Sequence, residues 1–72
     1  LRNGRAREAK AVLDLHLKLN PRSVDGHILL SDALVVLGRT ADALAAAERA
    51  LAIEPSNTRA QRAAAKLRTP VR

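Results

Sequence analysis

The 72-residue chain has no aromatic residue, no cysteine and no methionine. Without cysteine, neither a disulfide nor a thiolate metal site can help hold it together, and either redox compartment tolerates such a chain. Without Trp, Tyr or Phe, packing falls to aliphatic side chains against small ones, and the stacking platforms used to bind single-stranded nucleic acid are missing. No apolar run reaches the ~18–20 residues of a membrane span, and no charged-then-apolar leader opens the chain. The three glycines, Gly4, Gly26 and Gly38, are isolated, so no phosphate-cradling loop is present.

What remains is small and basic. Below ~70–80 residues a single core rarely supplies more than ~3–5 kcal/mol, so one small domain is the upper bound. The net charge of +6 is unevenly placed. Residues 1–23 hold six basic and two acidic groups, residues 58–72 hold five basic and none acidic, and the stretch between holds two basic and five acidic. Uniform basicity would point to nucleic acid. A negative centre between positive ends points instead to segment-specific partners.

The sequence repeats with a period of 34 residues. Gly4-Arg5 falls under Gly38-Arg39, Ala9 under Ala43, Ala11 under Ala45, Leu17 under Leu51 and Pro21 under Pro55. Such a period is the mark of a stacked repeat array. Paired stop and cap signals divide it. Pro21 and Pro55 end helices, Ser23 and Asn57 offer N-caps, Gly38 supplies a left-handed stop, and Thr40 is expected to cap the helix that follows. The pattern predicts four helices near 5–19, 24–37, 41–53 and 58–68, with a short frayed tail beyond the last.

Residues 13–19 alternate Leu with polar residues, which is the strand template. Leu is nevertheless a helix former without a β-branch, and Asp14 and Lys18 are spaced for an i,i+4 ion pair. The offset also lays the segment over an Ala-rich helix. A helix is therefore expected. On the 41–53 helix Ala43, Ala47, Ala50 and Leu51 share a face that lets a neighbouring helix approach closely. The 24–37 helix is apolar almost all round, as a central helix packed on several sides would be.

Residues 24–57 resemble a tetratricopeptide repeat, whose unit carries W-x2-L-G-x2-Y, then A-x3-F, then P. Those places hold His27, Leu30, Ser31, Leu34, Ala43, Ala47 and Pro55. Leu30, Ala43 and Pro55 agree, Leu34 keeps the apolar character, and His27, Ser31 and Ala47 depart. The resemblance implies an all-α fold of antiparallel helical hairpins stacked as an α-solenoid. Residues 1–23 form the second half of an incomplete repeat, 24–57 a complete one, and 58–72 a terminal helix and tail. With no methionine and an opening in mid-repeat, the chain is expected to be a piece of a longer repeat protein.

The resemblance also implies that first-position helices line a concave groove for a peptide or partner helix. Its positions here are Asp25, Ile28, Asp32 and Val35, and one period on, Arg59, Arg62 and Lys66. Asp32 stands where a carboxylate-gripping site of this family would want Asn, so no such clamp is assigned. A solvated face on a capping helix is the competing reading of the three cations.

Catalytic constellations are absent. His16 and His27 fall on different helices and outside any metal-ligand spacing. Ser23, Asp25 and His27 have the atoms of a triad, but Ser23 is expected to serve as a cap and no oxyanion donor is implied. The expected function is non-catalytic protein–protein interaction or scaffolding, without a cofactor, a bound metal or a membrane partner. The apolar face of Val12, Leu15 and Leu19 adds an expectation of association with itself or another chain. Two rival readings stand beside it: a nucleic-acid-binding fragment using the basic ends, and a regulatory repeat segment of an enzyme whose catalytic domain lies elsewhere.

Overall fold

The computed structural model describes residues 2–68, without the side chains of Arg2 and Asn3. Among these, four helices follow in order: α1 (Arg2–Leu19), α2 (Val24–Val36), α3 (Thr40–Ile53) and α4 (Thr58–Arg68). Successive helices pack on one another, and α2 also meets α4. The expected tail beyond α4 lies outside the described residues.

The alternating stretch 13–19 is helical. Leu13 and Leu17 are half-buried, while Val12, Leu15 and Leu19 are exposed. The ion pair on α1 differs from expectation: Asp14 bonds Lys10 at 2.7 Å, not Lys18. As a solvent-accessible i,i+4 pair it contributes about 0.3–0.5 kcal/mol at most.

The two inter-repeat turns are copies. Ser23 Oγ accepts the Gly26 N–H at 3.1 Å, and Asn57 Oδ1 accepts the Ala60 N–H at 2.9 Å. His27 Nε2 donates to the Pro21 carbonyl at 2.9 Å, and Gln61 Nε2 donates to the Pro55 carbonyl at 2.8 Å. Every partner is displaced by 34 residues. Each turn thus has a side-chain cap and a second side chain reaching back to the proline that stopped the previous helix.

The turn inside the hairpin is built otherwise. Gly38, at φ 77°, ends α2, with the Arg39 N–H on Leu34 O at 2.8 Å and the Gly38 N–H on Val35 O at 3.0 Å. This is the Schellman arrangement. It leaves one residue, Arg39, as the N-cap of α3, and no side chain caps that helix. Thr40 is therefore the first residue of α3 and not its cap: the Schellman turn reverses the chain so tightly that the helix begins one position early.

α2 is the centre of the core. Ile28 packs against Ala50 and Ala60, and Leu34 against Ala43 and Ala46, with Leu30 and Leu67 beside it. Ser31, fully buried, donates its hydroxyl to the Ala43 carbonyl at 2.8 Å. Large α2 side chains enter a bed of alanines on α3 and α4, as expected of a chain without aromatics. Gly26 fits α2 against α1: a Cβ there would lie 2.9 Å from Leu17 Cδ2 and from Ser23 Oγ.

Candidate functional site

The seven residues expected to line a groove lie on α2 and α4. A shallow cleft of about 240 Å³ runs between these helices, lined by Ile28, Asp32, Arg59, Arg62, Ala63 and Lys66. Five of the seven meet there. Ile28 is 3% exposed and makes the floor rather than a projecting contact. Asp25 stands beside the cleft and approaches Arg59 at 3.8 Å. Val35 is exposed but does not line it. Ala63 lines the cleft without having been marked, because its signal is small size, visible only once α4 lies against α2.

Helix geometry makes this alignment. Residues at i, i+3 and i+7 share a face, so Arg59, Arg62 and Lys66 rise as one row from α4, with Asp25, Ile28 and Asp32 as the corresponding row on α2. Among the described residues, the acids of α2 and the bases of α4 close an ion pair only at Asp25–Arg59. Among the described residues Asp32, Arg62 and Lys66 close no ion pair. Arg68, at the end of α4, turns away and bonds Glu48 of α3 at 2.8 Å. Two cations against one carboxylate leave the cleft with a positive surplus.

Both histidines have structural partners. His27 is buried and bonded to Pro21, with Nδ1 unpartnered among the described residues. His16 Nε2 lies 3.0 Å from Ser23 Oγ, the spacing of a base and a nucleophile. That oxygen is already the cap acceptor for Gly26. The sequence offered no sign of this contact, since it needs the turn at Pro21 to fold α1 back onto the start of α2. No helix among the described residues is long and apolar enough to cross a membrane.

No curated protein and no solved structure matches the chain. A family model does, the one described as Tetratricopeptide repeat, and it matches residues 1–67. That span takes in α1 to α3 and nearly all of α4. It agrees with the 34-residue spacing of caps and prolines seen above, and the chain belongs to the tetratricopeptide repeat family.

Proposed function

We propose that this chain is a non-catalytic interaction module that holds an acidic peptide or helix of a partner protein in the α2–α4 groove. Repeats of the family generally mediate protein–protein interactions. The observation that carries the finer reading is the cleft itself. Ile28 and Ala63 give an apolar floor, and Arg62 and Lys66 stand over it without ion-pair partners among the described residues. An apolar bed with a few convergent charges suits a short segment that brings aliphatic contact and carboxylates together. Asp25 and Asp32 repel carboxylates at one edge and so bias where along the groove an acidic partner sits, since complementary charge acts mainly on specificity and association rate.

Arg62→Glu tests this. Helix content should hardly change, because an exposed charge contributes only about 0–1 kcal/mol. Affinity for an acidic peptide should fall, and the difference from the parent chain should shrink at high salt as the Debye length drops from ~10 Å towards ~3 Å. Equal binding of acidic and basic peptides by both variants at low salt sinks the groove assignment. Steeply salt-dependent retention on nucleic acid, lost in the same variant, would favour the rival reading built on the basic ends.

A further inference from the structure

We propose that the trough between α1 and α3 is a second docking surface, and that its occupant is an amphipathic helix of a partner protein. That helix runs antiparallel to α1 and α3, with an acid near its start and a base two turns later. The trough has a volume of about 630 Å³. Leu17 and Lys18 of α1 form one wall, Ala45 and Arg49 of α3 the other, and Leu30 and Leu34 of α2 the floor. These two leucines lie on the opposite side of α2 from Ile28 and Asp32, so the α2–α4 cleft is a separate surface.

The trough exists because of how α2 sits. α2 packs on both α1 and α3, while those two make no close backbone contact with each other among the described residues. They stand one period apart, so they run the same way and leave an opening above α2. The 34-residue register seats no helix there, since a shift by one period carries α1 onto α3 itself and α2 onto α4. Every lining residue falls between Asp14 and Ile53, within the three helices that enclose it. Ala45 and Ala46 keep the α3 wall low enough for a helix to approach closely.

Charge sets the pattern and direction of the occupant. Lys18, Arg49 and Asp42, all on the lining, close no ion pair among the described residues. Asp14, the other carboxylate there, is already bonded to Lys10 at 2.7 Å. By the register Lys18 lies level with Ala52, less than one turn below Arg49, so the two cations mark one end of the trough. Asp42 stands seven residues from Arg49 towards the other end, two turns or about 10.5 Å along the axis. A helix with Glu and Lys seven residues apart repeats that spacing on one face, with aliphatic residues between them over Leu30 and Leu34. Its Glu belongs at the cation end, where α1 and α3 finish. An acid is best placed in the first turn of a helix, so the occupant starts there and runs against both neighbours.

The test uses the whole chain and an alanine-based peptide of about 18 residues, above the ~12–15 at which an isolated helix becomes marginal. The peptide has Trp at its N-terminus, Glu in its first turns, Leu three and four positions on, and Lys seven positions on. The chain has no aromatic residue, so all fluorescence is the peptide's. The parent chain should bind this peptide about fivefold more tightly than one with Lys in place of Glu, and Arg49→Glu should erase that preference. Ala45→Gln, which raises the α3 wall, should weaken binding about tenfold. Both positions are exposed, and circular dichroism checks that the variants keep their helices. Arg62→Glu changes the net charge equally but on the other side of α2, and should keep the preference. Equal affinity of the two peptides for the parent chain, a preference kept by Arg49→Glu, or undiminished binding to the Ala45→Gln chain would overturn the proposal. So would a preference lost in Arg62→Glu, which would put the peptide in the α2–α4 cleft instead.

Discussion

His27 stands where the family pattern has Trp, yet it does the work of Gln61. Both donate a side-chain N–H to the carbonyl of a proline six residues earlier. The bond fixes the Nε2–H tautomer of His27, since a carbonyl can only accept. His27→Gln should therefore be tolerated, keeping the bond to Pro21. His27→Leu deletes it and leaves the Pro21 carbonyl without that donor, at a cost of about 1 kcal/mol. Urea unfolding of the two variants checks the order, and a Leu variant as stable as the Gln variant would show that ring volume alone matters. Ser23 and Asn57 are a similar pair. Each cap of this kind contributes about 1 kcal/mol, and that is a sizeable share for a core so small.

At the scale of the helix, the two kinds of turn fail differently. The inter-repeat turns rest on side chains, so their loss is graded. The turn within the hairpin rests on the backbone of Gly38 at φ 77°. Nothing lies within 4 Å of a Cβ placed there, so the cost of Gly38→Ala is purely conformational, about 1–2 kcal/mol. The melting temperature should fall accordingly, while Gly4→Ala, in open space on α1 at an ordinary helical position, should be neutral or stabilising by up to ~1 kcal/mol. A Gly38→Ala variant that melts with the parent would mean that α2 and α3 are joined by some other turn in solution. α1 adds a caution about patterns: its alternating leucines divide between a half-buried face and an exposed one, because a helix carries residues two apart to different sides.

For the whole molecule, the unequal distribution of apolar surface decides behaviour. α4 turns a polar outer face to solvent, while α1 exposes Val12, Leu15 and Leu19 at 67%, 60% and 73%. A chain with one dressed end and one bare end should associate in isolation, with itself or another chain. Sedimentation over a wide concentration range should show weight-average mass rising with concentration, and Leu15→Lys should flatten the rise without loss of helix. A cooperatively folding monomer at every concentration would remove the case for an adhesive α1 face. The molecule is only 15 Å through its thinnest extent, so α2 alone has neighbours on several sides. Its Ile28 and Leu34 fix the rest.

Much of this could be read in the residues, because the determining features are local. Pro21 and Pro55 cannot continue a helix, Gly38 can take the left-handed turn, and Ser23 and Asn57 can cap, whatever surrounds them. Recurrence at 34 residues then imposes stacked hairpins, and places Asp25, Asp32, Arg59, Arg62 and Lys66 on matching faces before any contact is known. What only the tertiary structure decided depends on how two elements meet. The start of α3 at Thr40 follows from the tightness of the Schellman turn, and Asp14 pairs with Lys10 where the spacing alone suggested Lys18. The bond of His16 to Ser23 needs α1 folded back on α2. Ile28 became floor and Val35 bystander because helix spacing gives a face, whereas the depth of a residue on that face is set by the alanines of the neighbouring helix.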